Sequence, residues 1–300
     1  MLIGCGFTGI INAQQRAADS LERIINTLPE DTAKVNRLNA LVPKLQYLDP
    51  GKAALKVEQS IRLSEKINYS LGLATAYRLR GVLYIDRSVL DSGIYFYDKA
   101  YAIVKGKDGR LFRRQAGLLT HNYGVIFHHK QQYDSATTYY LRAATMLKAA
   151  EEESLCFFPY ANLSTIYGYL KDYDKALLYA KKTAVAAEKM NDVSKIVLAV
   201  NQEVTVRILM KQYDSVYVPL RENIKRANAV QNLYAAGKSY NLLGGYYHEG
   251  KHMYDSCIYY RKKALANMEK LNNQYEIVAY YKILVLLTRK KAIIRMRYFT

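Results

Sequence analysis

The sequence predicts an all-α solenoid built from stacked antiparallel helix hairpins, and three observations predict it. The first is a short phrase that returns at a nearly fixed interval: Leu90-Asp91-Ser92, Tyr133-Asp134-Ser135, Tyr173-Asp174-Lys175, Tyr213-Asp214-Ser215 and Tyr254-Asp255-Ser256, with starts 43, 40, 40 and 41 residues apart. A period of that size marks a supersecondary unit that cannot bury its apolar face alone and must stack on its neighbours. The second is that small residues stand at fixed offsets from the phrase. Nine residues before it come Gly81, Gly124, Ser164 and, in a degenerate copy, Val204; Gly244 takes that place in the last copy, where the turn reads one residue longer. Three residues after the phrase begins stand Gly93, Ala136, Ala176, Val216 and Cys257, and ten after it Ala100, Ala143, Thr183, Asn223 and Ala264. The third is composition. Half the residues are apolar, only 5 are proline, and alternating strand patterns and Asn-Gly hairpin signals are missing.

Each element follows in chain order. Met1 to Ala13 is apolar and small-residue-rich, which reads as the apolar core and cleavage end of a secretory signal over residues 1–14. No positive stretch precedes it, so the start of such a signal would lie upstream of Met1. Two other readings stay open: Leu2-Ile3-Gly4-Cys5 as a lipid-attachment box on Cys5, and a plain apolar N-terminus on a cytoplasmic protein. A capping helix is expected over residues 15–30. From Asp31, Val35, Leu38, Leu41, Val42 and Leu45 fall at helical spacing, and Asp49-Pro50-Gly51-Lys52-Ala53 repeats the phrase position 40 residues before Leu90. About six hairpins and a partial seventh then fill residues 31–290. Residues 291–300 read as a basic tail. No run reaches the length of a membrane span, so membrane contact would require a lipid anchor or a span outside this sequence.

Small residues let two helices approach closely, and the aromatics three residues beyond the small position (Tyr84, Phe127, Tyr167, Tyr247) fill the space beside them. The Asp of each phrase suits the first turn of a helix, where free N–H groups and the dipole favour a carboxylate. These columns resemble the tetratricopeptide repeat, here lengthened from 34 residues to about 40. The elongated copies are similar to the sensor portions of bacterial signalling regulators. The resemblance implies a right-handed superhelix whose first helices line a concave groove for an extended peptide or a partner helix. By the same resemblance, Arg78, His121, Asn122, Asn162, Asn201, Gln202 and Asn241 face that groove, with His128 and Tyr169 farther along the same helices. An amide side chain offers donors and an acceptor, as reading a peptide backbone requires. The tyrosine-rich second helices read as core packing between repeats.

Chemistry-bearing motifs are few. His248-Glu249-Gly250-Lys251-His252 matches the H-E-x-x-H zinc-peptidase pattern, which requires both histidines on one helical face. The repeat register puts it instead at the turn of the sixth hairpin. His121, His128 and His129 lack a Cys or carboxylate at ligand spacing, and Glu151-Glu152-Glu153 reads as a solvated helix start. No Walker loop, nucleophile elbow or paired carboxylates occur. We therefore expect no catalytic residues, no metal and no cofactor. The formal net charge of +18 keeps a nucleic-acid or polyanion partner open, although the basic residues do not interleave with aromatics in a recognised module. The function expected is non-catalytic protein or peptide binding, as the ligand-sensing or adaptor part of a bacterial cell-envelope signalling system. The expected location is periplasmic or otherwise exported.

Overall fold

The computed structural model describes residues 18–46, 49–271 and 273–299, and the backbone alone for residues 274–275 and 291–299. The expected signal segment and Cys5 lie outside the described residues. Helix and connecting turns account for the described chain, with no strand among the described residues. It divides into two compact units at Pro159/Tyr160.

In the first unit, residues 18–27 form helix α1. The hairpins that follow are α2 (Thr32–Leu45) with α3 (Pro50–Lys66), α4 (Ser70–Ile85) with α5 (Leu90–Val104), and α6 (Arg110–His129) with α7 (Tyr133–Ala149). Contacts of α2 with α4 and of α4 with α6 make the first helices one layer. Helix α8 (Phe157–Tyr169) begins in the first unit and continues into the second. The second unit holds the remainder of α8 with α9 (Tyr173–Met190), α10 (Val193–Leu209) with α11 (Tyr217–Ala229), α12 (Leu233–Gly245) with α13 (Tyr254–Lys270), and the long α14 (Gln274–Phe299). There α10 packs on α12. The stretch expected as a tail from residue 291 is helical backbone through Phe299, continuous with α14.

The small columns are the places where the two helices of a hairpin meet. Ala136, Ala176, Val216 and Cys257 are fully buried, as are Ala100, Ala143, Thr183 and Ala264. At Gly124 a Cβ would lie 2.7 Å from the ring of Tyr140, which is itself fully buried. The aromatic column pairs across each hairpin. Tyr84 stacks on Phe96, Phe127 on Tyr139, Tyr167 on Tyr179 and Tyr247 on Tyr260, with centroids 5.5, 5.0, 5.6 and 5.4 Å apart. Offset stacking of this kind adds about 0.5–1.5 kcal/mol to the area it buries. The degenerate copy holds Arg207 and Pro219 in these two columns, and Arg207 instead pairs with Glu203 at 2.7 Å on its own helix.

The recurring phrase opens the second helix, or in the degenerate copy a short 3₁₀ turn that leads into it. Its Asp therefore sits one position inside the helix start rather than at the cap. Side-chain capping comes from other residues, such as Asp49 onto Lys52 N (2.9 Å) and Asp172 onto Lys175 N (3.2 Å). Two residues before every phrase the chain turns left-handed: Ser88, Gln131, Lys171, Lys211 and His252 have φ of 55–60°. In the first four, the next N–H reaches back five residues, as in Val89 N to Tyr84 O at 3.0 Å and Gln132 N to Phe127 O at 2.9 Å. This is the Schellman closure of a helix end.

The last hairpin carries an extra residue, and the structure absorbs it in a π turn over Tyr246–Gly250 at the end of α12. The bond that closes the turn accordingly runs from Met253 N to Tyr247 O at 2.8 Å. The Glu151-Glu152-Glu153 run, expected to be a solvated helix start, is a left-handed turn at Glu151 followed by one short 3₁₀ turn. Glu152 faces both Arg110 (3.5 Å) and Arg114 (3.8 Å).

Candidate functional site

The nine residues expected to face a groove divide between the two units, and their environments differ. In the first unit Arg78 projects from α4, and His121 and Asn122 from α6. The Arg78 Nε donates to the Gln115 Oε1 at 3.2 Å, and this is its one hydrogen bond among the described residues. No carboxylate stands within ion-pair distance of it there. Burial, opposed by Tyr97 and reinforced by Arg114, lowers its pKa to about 10, so the guanidinium stays charged at neutral pH. His121 is buried between the rings of Tyr140 (5.3 Å) and Phe158 (6.1 Å). Desolvation, and then the charge of Arg78, push its pKa to about 3 and hold the imidazole neutral. Asn122 is buried, and its Nδ2 makes no hydrogen bond among the described residues; the same holds for His121 Nδ1 and Arg114 Nε. His128 turns toward its own hairpin partner. Its ring meets Tyr133 and Tyr140, with Nδ1 3.4 Å from the Tyr140 hydroxyl, so it serves packing within the hairpin.

In the second unit Asn201 is buried and belongs to the scaffold. Its Oδ1 accepts from Asn223 Nδ2 (3.1 Å) and Ser239 Oγ (2.9 Å), and Asn223 Nδ2 also donates to the Val197 carbonyl at 3.0 Å. Three helices, α10, α11 and α12, are tied together through one amide. Gln202 reaches from α10 to α8, donating to the Ala161 carbonyl and to Thr165 Oγ1. Asn162 is half-buried on α8, Tyr169 stands exposed at the end of that helix, and Asn241 on α12 is half-buried with its Oδ1 enclosed and unbonded among the described residues. The expected ladder is thus two kinds of residue. Asn201 and Gln202 join helices, whereas Arg78, Asn122 and Asn241 keep unused hydrogen-bonding capacity.

Sequence reasoning missed a counterpart in the first hairpin. Asn39, buried on α2, accepts from Ser60 Oγ at 2.8 Å and donates to the Gly72 carbonyl at 3.1 Å. It stands two residues before Leu41, the register position of Asn122, Asn162 and Gln202, so the column itself could have found it.

The H-E-x-x-H stretch does not form a metal site. His248 and Glu249 lie in the π turn, while His252 is two residues past its end with φ of 55°. The two histidines therefore cannot share the face of one helix as the pattern requires. His248 packs edge-on to Tyr254 at 5.5 Å. No group of three His, Cys, Asp or Glu side chains placed to hold a metal occurs among the described residues.

With this geometry in view, likeness to known proteins is confined to solved structures. No model of a protein family matches the chain, and no curated protein matches it. A Rap protein complexed with competence and sporulation factor aligns with a TM-score of 0.62 at 15% identity, over 89% of this chain and 74% of that one. The apo form of the quorum sensor NprR from B. thuringiensis aligns at 0.58 and 15%, over 94% and 83%. A STAND signal-transduction ATPase with a tetratricopeptide-repeat sensor, from Pyrococcus horikoshii, aligns at 0.60 and 16% over 90% of this chain. This chain spans 42% of that protein. The chain has a tetratricopeptide-like helical-repeat fold. At these identities the likeness speaks for the fold alone.

Proposed function

We propose that the chain is a non-catalytic scaffold that binds a peptide, or an extended segment of a protein, on the first helices of its hairpins. The observation that carries this reading is unused amide capacity on those helices. Asn122 Nδ2 and Asn241 Oδ1 are enclosed without a hydrogen bond among the described residues. Buried amides are ordinarily bonded, and a peptide backbone supplies both complementary groups. Proteins of the same fold include a Rap protein whose structure contains competence and sporulation factor and a quorum sensor, which agrees with a ligand-sensing or adaptor role in bacterial signalling. The apolar N-terminal stretch motivates export to the cell envelope. N-terminal sequencing of the mature protein would test export: a start beyond Ala13 supports it, and an intact Met1 from a fractionated cytoplasm overturns it.

To test binding, the immobilised full chain is exposed to peptides secreted by its host, and the captured peptides are identified by mass spectrometry. A peptide enriched by the wild type and lost by an Asn122→Ala/Asn241→Ala variant with an unchanged circular dichroism spectrum supports the reading. Equal capture by both, or none above an unrelated solenoid, overturns it.

A second reading draws on the net charge of +18: a solenoid that binds nucleic acid or another polyanion. The two readings differ in their response to salt.

A further inference from the structure

A cleft of about 550 Å³ opens in the second unit between the second helices α11 and α13, beside Tyr240 of α12. Small-ligand sites span about 300–1,000 Å³. We infer that this cleft is the site of a nucleotide, with the base against its tyrosines and the phosphate on its unpaired cations. It shares no residue with the first-helix amides on which the peptide reading stands.

The cations come from two helices. Arg221 and Lys225, four residues apart, share a face of α11, and Lys263 comes from α13. No carboxylate stands within ion-pair distance of any of the three among the described residues. Lys263 is held in place by rings: its Nζ lies 4.7 Å from the Tyr259 centroid and 5.6 Å from that of Tyr240. A hydrogen bond to the Tyr259 hydroxyl holds its pKa above the ordinary lysine value, so it is charged. Arg221 lies over the Tyr217 ring at 5.9 Å and donates to that hydroxyl at 3.5 Å, which leaves most of its fork unused. A single carboxylate would satisfy one of these cations. A phosphate, with close to two negative charges and three acceptor oxygens, suits the set.

Two further features distinguish a nucleotide from bare phosphate. The first is ring surface. Tyr259 is 54% exposed, so its ring remains open beside the cations, and Ile224 adds an apolar wall from α11. Tyr260 is braced by stacking on Tyr247 and Tyr240, with centroids 5.4 and 6.3 Å away. Such aromatic surfaces accept the π-face of any base. The second is Glu222. Nine residues after each phrase begins stand Lys99, Arg142, Lys182, Glu222 and Lys263, so the acid breaks a column of cations at the cleft. Glu222 is exposed and forms no ion pair among the described residues. It would repel bare phosphate, whereas ribose hydroxyls or an exocyclic base amine supply the donors that it accepts.

The test titrates the folded full chain, by isothermal titration calorimetry in phosphate-free buffer, with AMP, GMP, CMP and UMP, each beside its nucleoside, and with inorganic phosphate. At least one monophosphate should bind roughly tenfold or more tightly than its nucleoside and than phosphate, because only the nucleotide uses both halves of the cleft. Arg221→Gln/Lys225→Gln should weaken that monophosphate by roughly tenfold or more and leave the nucleoside unaffected. Tyr259→Leu should weaken nucleotide and nucleoside alike. All three side chains are exposed, so circular dichroism should show the fold unchanged. Asn122→Ala should leave nucleotide affinity as it is, which separates this site from peptide binding. No monophosphate bound more tightly than phosphate, or an affinity that survives Arg221→Gln/Lys225→Gln, overturns the nucleotide site. Binding of a random-sequence single-stranded oligonucleotide with no mononucleotide bound overturns it as well.

Discussion

Gly124 and Gly168 lie on consecutive first helices, yet their surroundings make opposite demands. A methyl group at Gly124 would fall 2.7 Å from the buried Tyr140 ring, whereas at Gly168 the nearest atom is 4.0 Å away. Gly124→Ala should therefore cost about 1–3 kcal/mol through overpacking, while Gly168→Ala should gain about 0.5 kcal/mol from helix propensity. Paired thermal melts decide this, and equal shifts would show that the small column is not a contact. His121 supports a second prediction at this scale. Its folded pKa of about 3 lies below its unfolded value near 6.5, so the unfolded chain binds more protons between those limits. Stability should rise with pH across that window, by up to about 1.4 kcal/mol per unit from this one group, and level off above it. The groups facing the ring are Arg78 of α4, Tyr140 of α7 and Phe158, and none of these titrates in the window. Denaturant titrations of wild type and His121→Gln at several pH values should show a shallower slope in the variant; an identical slope would mean that His121 is not the group responsible. From sequence, His121 reads as a groove residue because its column is visible and its neighbours are not. Phe158 lies 37 residues away, and only folding brings its ring against the imidazole.

The element most readily legible was the second helix, because its opening phrase, its small residues and its aromatics all repeat. The turn before it was not. Ser88, Gln131, Lys171, Lys211 and His252 have nothing in common as residue types, yet all take the left-handed conformation two positions before the phrase. The backbone requirement comes from closing one helix and reversing into the next, and glycine, the residue that would have announced it, is absent. An L residue there carries a strain of about 1 kcal/mol that glycine lacks. Part of the gain on replacement returns to the unfolded chain as entropy. Lys171→Gly and Lys211→Gly should each stabilise the protein by about 0.5 kcal/mol, and glycine at a neighbouring helical site such as Lys181 should destabilise it by about 1 kcal/mol. Differential scanning calorimetry of the three variants tests the sign; stabilisation absent at both turns would remove the strain argument. The π turn shows the same logic from the other side. The longer interval before Tyr254 was readable as one extra residue, and the structure places that residue in an i→i+5 turn, which also pulls His248 and His252 off a common face.

At the scale of the whole molecule, the period specified the fold because a hairpin that cannot bury its apolar face alone leaves few alternatives. The ligand was not specified in the same way. Asn201 and Asn122 look alike in sequence and are both buried, but the oxygen of one binds three helices together and the amide of the other is unspent. That difference depends on what the surrounding helices present: Asn223 of α11 and Ser239 of α12 donate to the Asn201 oxygen, and no described residue accepts from the Asn122 amide. The net charge of +18 is a property of the whole chain, and it separates the two functional readings by number of contacts. A peptide held mainly by amide hydrogen bonds forms few ion pairs, so its association constant should fall with salt with a log–log slope no steeper than about −1. A duplex held by a basic surface releases a counterion for each phosphate neutralised, with a slope of about −0.9 per contact. Six contacts would thus give a slope near −5, and affinity would collapse between low and physiological salt. Anisotropy titrations of a captured peptide and of a random-sequence duplex, each at several salt concentrations, measure both slopes on one protein. A shallow slope for the peptide beside weak, steep binding of the duplex is the expected pair, with the steep component unaffected by Asn122→Ala/Asn241→Ala. Tight duplex binding that persists at physiological salt, with no peptide bound, would transfer the function from the first helices to the charged surface.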